Sequence, residues 1–115
     1  MNKTIKYSNI ITDLLREYER TSNGGKSTVK TIFIRDVEGH HYVLKNVGWQ
    51  ENRYIHGCLI HFDIIDDKVW VWVQENNTEI EIGEELVERG IPRTDIVAGL
   101  IHPDARVDTA YANVI

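Results

Sequence analysis

Residues 54–74 read YIHGCLIHFDII, DD and KVWVWVQ, and they are the most informative part of the sequence about the fold. Its first part, Tyr54 to Ile65, is long, apolar and rich in β-branched residues, which is typical of a strand in the interior of a sheet. Asp66 and Asp67 form a tight turn if both adopt a positive φ. In residues 68–74, valines alternate with other side chains, as in a strand whose successive side chains point to opposite faces. The stretch therefore predicts an antiparallel hairpin.

Two further strands are predicted before this hairpin. Thr28 to Arg35 is β-branched and aromatic, and Glu38-Gly39 predicts a turn into a second strand, His41 to Trp49. Polar residues 50–53 then form the turn that leads into Tyr54. Since each strand follows the last through a short turn, the sequence predicts a four-stranded antiparallel meander.

A helix is predicted on each side of these strands. Between Lys3 and Arg20, apolar side chains recur at helical spacing, and the asparagine and glycines at 23–25 stop the helix. In the second half, Thr78 and Glu81 have the spacing of a capping box. Gly90, followed by a proline, ends that helix near residue 89.

The chain after the second helix is less regular. Pro92 can open a short helical turn through Asp95, and residues 96–101 fit either a strand or a packed coil. Residues 102–115 are apolar enough that we expect them to dock on this subunit or on another. The predicted fold is α+β: a four-stranded antiparallel meander sheet with an N-terminal helix and a C-terminal helix.

Composition limits the class of protein. With 115 residues, 42% of them apolar and 27% charged, the chain fits a single globular domain over residues 1–115. Its one cysteine, Cys58, excludes an intrachain disulfide and any site built from several thiolates. No apolar run approaches the about 20 residues of a membrane-spanning helix, and residues 1–9 lack a signal-type apolar stretch. We therefore expect a cytoplasmic protein with no membrane contact.

Charge is distributed unevenly along the chain. The net charge is -5, while the basic residues are concentrated in the first half and the acidic residues in the second. The basic excess is thin and scattered, which is a poor basis for binding phosphates. We interpret the pattern as a solvated charge distribution, with self-association or a basic partner as the alternative.

One short segment is similar to a phosphate-binding loop. Residues 24–28 read GGKST, but the pattern GxxxxGK[ST] requires a glycine at position 20, where Arg20 stands. A predicted helix also precedes the segment and a strand follows it, which is the reverse of the order in such loops. We therefore predict no bound nucleotide and no other cofactor.

The histidines raise the question of a metal site. His61 and Asp63 lie at i and i+2 on one face of a strand, with His102 as a possible third ligand. Nothing in the sequence fixes that third ligand, so we interpret these residues as ordinary hydrogen-bonded groups and predict no metal. Cys58 lies in the middle of a strand and is interpreted as a buried, inert thiol. The glutamates of the second helix fit a solvated face, so no catalytic residue is predicted.

The tryptophans are the most informative apolar residues. Trp70 and Trp72 share one face of a predicted strand, while Val69, Val71 and Val73 occupy the other. We call the side of the sheet that carries Trp70 and Trp72 the tryptophan face. It is either a surface for binding or self-association, or a part of the core that a helix covers.

The order of the motifs resembles a known family. The motifs in question are Asn46-Val47-Gly48-Trp49, Arg53, GCLIHFDI at 57–64, Val69-Trp70-Val71, Thr78-Glu79, Glu85-Leu86-Val87, Gly90-Ile91-Pro92, Asp95-Ile96-Val97, Gly99, His102-Pro103, Arg106, Thr109 and Tyr111-Ala112. Together they closely resemble the XisI family, the fdxN element excision controlling factors, over nearly the whole chain. Asp104 replaces a second proline and Asp66-Asp67 replaces an Asp-Gly turn, and both departures fall in predicted turns.

The resemblance implies an accessory role in a DNA process. Proteins of the XisI family are associated with the programmed excision of a DNA element from cyanobacterial chromosomes, which a site-specific recombinase carries out. XisI acts there with a companion, XisH, which looks like a nuclease-fold protein, and XisI itself has no assigned catalytic residues. The family thus implies an α+β domain that works through contacts with a protein.

These observations lead to one main hypothesis and two alternatives. The main hypothesis is a non-enzymatic, homo-oligomeric interaction module that binds an XisH-like companion and contacts DNA only indirectly. The candidate interface residues are Trp49, Arg53, Trp70, Trp72, Arg106 and Tyr111. The first alternative is direct DNA binding through the basic residues of the N-terminal half. The second is a metal-dependent hydrolase that uses His61, Asp63 and His102.

Overall fold

The computed structural model describes residues 2–74 and 81–114. Its helices are α1 (Lys3–Ser22) and α2 (Glu81–Glu88), and its strands are β1 (Val29–Asp36), β2 (His41–Gln50), β3 (Arg53–Ile65), β4 (Lys68–Gln74) and β5 (Ile96–Ala98). Two 3₁₀ turns, Arg93–Asp95 and Pro103–Asp108, lie before and after β5. No helix within these two ranges is long and apolar enough to cross a membrane.

Helix α1 confirms the predicted N-terminal helix. The side chain of Asn2 caps it by accepting a hydrogen bond from the backbone N–H of Thr4 at 2.9 Å. Its apolar stripe is buried, and the stripe comprises Tyr7, Ile11, Leu14 and Leu15. The helix ends at Ser22 rather than Arg20, where Asn23 donates its backbone N–H to the carbonyl of Glu19.

The sheet has five strands in the order β1-β2-β3-β4-β5. The first four are antiparallel neighbours, as the sequence predicts, whereas β5 pairs with β4 in the parallel sense. The prediction of a four-stranded, purely antiparallel sheet is therefore wrong by one strand. Since α2 lies between β4 and β5 along the chain, it makes the crossover that a parallel pair requires.

The second predicted helix is present but is not the last element of the chain. Helix α2 ends at Glu88, and Gly90 follows with a φ of +110°, as the predicted helix stop requires. The predicted start at Thr78 lies outside the described residues, and so does most of the capping box. Strand β5 and the second 3₁₀ turn follow α2, so the segment after the helix is structured.

The turn between β3 and β4 confirms the prediction made from the paired aspartates. Asp66 and Asp67 have φ values of 51° and 61°, and Ile65 pairs with Lys68 across the turn. Positive φ at both central positions is the requirement of the two-residue turn that matches the twist of a hairpin. Asp67 also accepts a hydrogen bond from the hydroxyl of Thr4 at 2.8 Å.

The two faces of the sheet have different environments. One face packs against α1 and α2, and its buried residues are Tyr42, Leu44, Ile60, Phe62, Ile64, Val69 and Val71. We call it the helix face. The opposite face is the tryptophan face, which also carries His41, Val43, His61 and Asp63, as the strand register requires. The core therefore lies between the sheet and its two helices.

Residues 99–114 form a C-terminal segment that folds around the edge of β5. Leu100 donates its backbone N–H to the carbonyl of Val71 at 3.1 Å, and Ala112 donates to the carbonyl of Ile96 at 2.8 Å. Arg106 and Tyr111 of this segment are both buried. The tail therefore docks on its own chain, and it covers backbone groups that an edge strand would otherwise expose.

Three tyrosines join elements that are far apart in the sequence. Tyr7 of α1 donates its hydroxyl hydrogen to Asp95, Tyr18 of α1 donates to Glu85 of α2, and Tyr111 donates to Glu84 of α2. Burial raises the pKa of each phenol well above its ordinary value, and the hydrogen bond to a carboxylate raises it further. These bonds hold α1, α2 and the C-terminal segment together.

The raised pKa values predict loss of stability in alkaline solution. A group whose pKa is higher in the folded than in the unfolded chain stabilises the fold below its unfolded pKa, about 10 for tyrosine, and this contribution is lost at higher pH. We expect the absorbance of tyrosinate from Tyr7, Tyr18 and Tyr111 to appear together with the loss of helical circular dichroism.

A pair of phenylalanine variants tests this assignment. Tyr18→Phe should lower the free energy of unfolding by about 1 kcal/mol, since it removes one hydrogen bond, and it should remove one of the late ionisations. Tyr54→Phe, at an exposed position, is the matched control and should leave the alkaline transition unchanged. Ionisation of Tyr7, Tyr18 and Tyr111 in a still-folded protein would show that the phenols are not protected.

Candidate functional site

Trp70 and Trp72 form a stacked pair on the tryptophan face. Their ring centroids are 5.1 Å apart with an angle of 24° between the planes, and both side chains are half-buried. Gly99, one residue after β5, lies directly against them. A Cβ atom at Gly99 would lie 2.8 Å from Cε3 of Trp72 and 3.2 Å from Cε3 of Trp70. The C-terminal segment, rather than a helix, therefore covers part of this face.

Arg106 fixes that segment over the tryptophans. Its guanidinium carbon lies 5.1 Å from the ring centroid of Trp70, which is cation–π geometry. The guanidinium donates hydrogen bonds to four backbone carbonyls, which belong to Ala98, Gly99, Ile101 and Val114. The contacts that the structure gives to this predicted interface residue are thus within its own chain, where they order the C-terminal segment.

Tyr111, another predicted interface residue, lies on the other side of β5. It is buried in the core cluster, and its hydroxyl donates to Glu84 of α2. Glu84 also accepts a hydrogen bond from Arg93. The hydrogen bond from Tyr111, followed by that from Arg93, holds the pKa of Glu84 below its usual range. Any role of Tyr111 in an interface would therefore be indirect, through the position of the tail.

Asp63 is the centre of a polar network on the tryptophan face. Its Oδ1 accepts hydrogen bonds from Nδ1 of His41 at 2.7 Å and from Nε2 of His61 at 2.8 Å. Its Oδ2 accepts from Nε1 of Trp72 at 3.0 Å. The donors come from three strands, since His41 lies in β2, His61 in β3 and Trp72 in β4. One carboxylate thus joins the three central strands on this face.

Strand register brings these groups together. His41 pairs directly with Asp63 across β2 and β3, and His61 lies two residues earlier on the same face. The β3–β4 register shifts between His61 and Phe62, so that Trp72 is an additional residue in β4. Such a bulge changes the direction of a side chain, and the indole N–H of Trp72 reaches Asp63.

The network perturbs the ionisation of its members. The hydrogen bond to Asp63 raises the pKa of His41 above its ordinary value. Burial alone would raise the pKa of Asp63, but the hydrogen bonds from His41 and His61 outweigh that effect, so the pKa lies below its usual range. Asp63 is therefore a carboxylate at neutral pH and acts only as an acceptor.

Two of the three titratable members of this network are predictable from the sequence. His61 and Asp63 are adjacent on β3 as predicted, but the third group is His41 rather than His102. His102 caps the second 3₁₀ turn by accepting from the backbone N–H of Asp104. His41 is 20 or more positions away in the sequence, and only the pairing of β2 with β3 places it here.

A second candidate surface lies at the opposite end of the β2–β3 hairpin. We call residues 49–56 the hairpin end. Trp49 pairs with Tyr54 across the strands, their ring centroids are 5.2 Å apart, and the two residues are 56% and 55% exposed. The ring of His56 stacks on Tyr54 at 6.3 Å, and Arg53 is exposed beside them. These residues form an exposed aromatic cluster.

Trp49 and Arg53 are among the predicted interface residues, whereas Tyr54 is not. Residues 50–53 were interpreted as a turn, whereas β2 continues to Gln50 and β3 begins at Arg53. The turn itself is Glu51-Asn52, with a φ of 57° at Glu51. The two-residue turn pairs Gln50 with Arg53, and therefore Trp49 with Tyr54. A predicted turn of two residues instead of four would have placed these two aromatic rings side by side.

Cys58 differs from the prediction in one respect. The residue is exposed, not buried, because it lies on β3 beyond the part that pairs with β4. Its thiol is still partly shielded and lies 3.5 Å from the carbonyl oxygen of Ile60. Partial burial raises the pKa of the Cys58 thiol, so the group stays protonated and is a poor nucleophile at neutral pH.

Comparisons with known proteins agree with this architecture. A family model described as XisI protein matches residues 1–113. An XisI-like protein from Anabaena variabilis ATCC 29413 is 40% identical, with a TM-score of 0.84 over 96% of this chain and 99% of that one. The fdxN element excision controlling factor XisI from the same organism is 27% identical, with a TM-score of 0.82 over 98% and 100% of the two chains. No curated protein is a significant match.

The contact between Gly99 and the tryptophan pair predicts that an added methyl group destabilises the protein. Gly99→Ala should lower the free energy of unfolding by about 1–3 kcal/mol, because the indoles must move to admit it. Gly57→Ala is the matched control, since a Cβ atom there meets no atom within 4 Å. Urea unfolding followed by tryptophan fluorescence measures both variants. Equal stability of the two would contradict the tight packing.

The network around Asp63 predicts a cost for removing its charge. Asp63→Asn should destabilise the protein by about 1.5–3 kcal/mol, since the amide group cannot accept all three hydrogen bonds that the charged carboxylate accepts. Asp104→Asn, at a side chain that is 90% exposed, is the control and should have little effect. Urea unfolding at neutral pH compares them, and similar values would mean that the network contributes nothing to stability.

Proposed function

This chain belongs to the XisI family, and we propose that it is a non-enzymatic control factor of element excision. In this proposal the protein acts by binding an XisH-like companion. One solved relative is itself described as an fdxN element excision controlling factor. The observation that carries the proposal is the exposed aromatic cluster at the hairpin end. We place the companion's binding site there, with Trp49 and Tyr54 at its centre.

The exposure of Trp49 and Tyr54 has a physical cost in the free protein. Each is more than half exposed although large aromatic side chains gain free energy when buried. Tryptophan, tyrosine and arginine are also the residues that most often dominate binding energy at protein interfaces, and Arg53 lies beside the two rings. A partner that covers the hairpin end would gain the burial that the fold does not supply.

The surroundings of the cluster fit the rim of an interface. Lys45 donates a hydrogen bond to Nε2 of His56 at 2.8 Å, and His56 stacks on Tyr54. An apolar centre with a polar edge is the usual composition of a protein contact surface. The edge formed by Lys45 and Arg53 favours a companion with an apolar pocket bordered by carboxylates.

A protein partner fits this chain better than direct contact with DNA. Several of the basic residues of the N-terminal half are engaged within the fold: Lys3 pairs with Asp95 at 3.3 Å, Arg35 donates to Thr12 at 3.2 Å, and Arg16 lies over the ring of Phe33. The ion pair with Asp95 offsets the charge of Lys3, and the contacts of Arg35 and Arg16 hold these two side chains against the fold. We therefore propose that contact with DNA is made through the companion.

The same surface is available to a second copy of the chain. A homo-oligomer remains part of the proposal, because two hairpin ends related by a twofold axis would bury four aromatic rings. Light scattering on the purified protein, with and without the companion, distinguishes the two assemblies. Self-association that is lost in Trp49→Ala would place the contact between copies at the hairpin end.

Alanine variants of the hairpin end test the proposed function. We expect Trp49→Ala to weaken binding to a purified XisH-like companion by about 30-fold and Tyr54→Ala by about 10-fold, as for central interface residues. Isothermal titration calorimetry on nuclease-treated samples measures the affinities. Val107→Ala removes an apolar side chain that is 63% exposed elsewhere, and it should bind as the wild type does.

Two outcomes would overturn the proposal. If Trp49→Ala and Tyr54→Ala are folded and bind the companion with unchanged affinity, the hairpin end is not the contact surface. If the protein binds DNA alone, and the affinity falls steeply as salt is raised, phosphate contacts dominate instead. An apolar protein interface should respond weakly to salt.

A further inference from the structure

The tryptophan face carries a second feature, which lies apart from the hairpin end. His41, His61 and Asp63 place two imidazole nitrogens and a carboxylate oxygen within 4.8 Å of one another. We propose that these three residues form a binding site for a divalent transition-metal ion, with zinc as the representative ion. The site differs from the proposed companion surface, since His41 and Trp49 are eight positions apart on β2, which is about 26 Å along a strand.

Two of the three donor–donor distances are already close to the separations that a metal imposes. Zinc binds imidazole nitrogen at about 2.0–2.1 Å and carboxylate oxygen at about 2.0–2.2 Å, so neighbouring donors lie about 2.9–3.4 Å apart. Oδ1 of Asp63 lies 2.7 Å from Nδ1 of His41 and 2.8 Å from Nε2 of His61. The three donor atoms all lie within 4.8 Å of one another, so rotations of the two histidine rings that lengthen the contacts to Oδ1 and bring the two nitrogens to a similar separation would give coordination distances.

The backbone holds the three residues on a rigid support. His41 and Asp63 are direct partners across β2 and β3, and His61 and Asp63 are two residues apart on one strand. Their Cβ atoms thus project from the same side of the two central strands. Sites on paired strands hold their ligands more accurately than sites on loops do, so the entropic cost of assembling the three donors is mostly met by the fold.

The donor set selects a class of ion. Two imidazoles and one carboxylate suit zinc, copper, nickel, cobalt and ferrous iron, whereas magnesium and calcium prefer sites made only of oxygen. Three protein ligands leave at least one coordination position for water or another group. The side chain of His41 is 55% exposed and that of His61 is 32% exposed, so an ion can enter from the tryptophan face.

Trp72 acts as a positioning residue for this site. Its Nε1–H donates to Oδ2 of Asp63 at 3.0 Å, which leaves Oδ1 directed at the two histidines. Hydrogen bonds from an outer group commonly fix the orientation of a metal-ligating carboxylate, and their loss weakens metal affinity about 10–100-fold. The bulge in β4, which directs Trp72 towards Asp63, therefore helps to orient the carboxylate that binds the metal.

Titration of the full chain with Zn²⁺ tests the site. We expect isothermal titration calorimetry to give one bound ion per chain, and Co²⁺ to show visible absorption bands that differ from those of the free ion. Trp72→Phe, in which every metal ligand remains, should weaken Zn²⁺ binding about 10–100-fold, and His41→Gln and His61→Ala, which each remove a ligand, should weaken it more. His102→Ala and Cys58→Ser are the matched controls, and both should bind Zn²⁺ as the wild type does.

The outcomes separate this proposal from adventitious binding and from unfolding. His41→Gln alters an exposed side chain, so a folded variant, verified by circular dichroism, keeps the test interpretable even if His61→Ala unfolds. Absence of binding at about 1 mM Zn²⁺, a very weak affinity, would overturn the proposal. Binding that persists in His41→Gln but is lost in Cys58→Ser or His102→Ala would overturn it as well. Neither result affects companion binding at the hairpin end, which the Trp49→Ala variant measures separately.

Discussion

The structure depends on the requirement that both faces of β4 be covered. Val69 and Val71 project to one side and Trp70 and Trp72 to the other, so a single layer of helices cannot exclude water from the whole strand. The two helices cover the valines, and the C-terminal segment covers the edge of the tryptophans. The parallel strand β5 is the consequence, since it brings the chain back to the edge where that second cover is needed.

Arg106 is the contact that makes this second cover stable. The segment is short and lacks regular strand or helix pairing over most of its length, and its position is fixed by a buried guanidinium that donates to four carbonyls and lies over Trp70. Charged groups in the interior are tolerated when their donors are satisfied. The cover stops at β4, which leaves the Asp63 network half-exposed and the hairpin end uncovered. The two candidate sites are therefore the two regions that the C-terminal segment does not cover.

The parts of the fold that could be predicted from the sequence are those set by local interactions. The stripe of α1, the aspartate turn and the stop at Gly90 depend on neighbours within a few residues, and all three are confirmed. The sequence alone does not distinguish a strand from a coil at β5, because three apolar residues are too few to show a periodicity. Only its pairing with β4, which depends on tertiary structure, defines it.

The same limit applies to the candidate sites. His61 and Asp63 could be placed together because they share a strand, whereas His41 joins them only through the β2–β3 register. Arg106 looked like an exposed contact residue, since arginine is seldom buried, and its carbonyl partners are scattered over residues 98–114. Tyr54 is absent from the predicted interface because the predicted turn, residues 50–53, is two residues longer than the turn in the structure. The error at His41 concerns pairing between distant residues, whereas those at Arg106 and Tyr54 concern residues close in the sequence whose contacts depend on the exact path of a turn or loop.

The position of Arg106 late in the chain has a consequence for biosynthesis. A polypeptide leaves the ribosome from its N-terminus, and the sheet with its tryptophan pair emerges before the segment that covers it. Trp70 and Trp72 therefore lack this cover during translation until Arg106 and the carbonyl of Val114 have left the exit tunnel. A chain that lacks this segment carries an uncovered aromatic surface, and exposed hydrophobic surface of this kind makes a partly folded chain prone to aggregate.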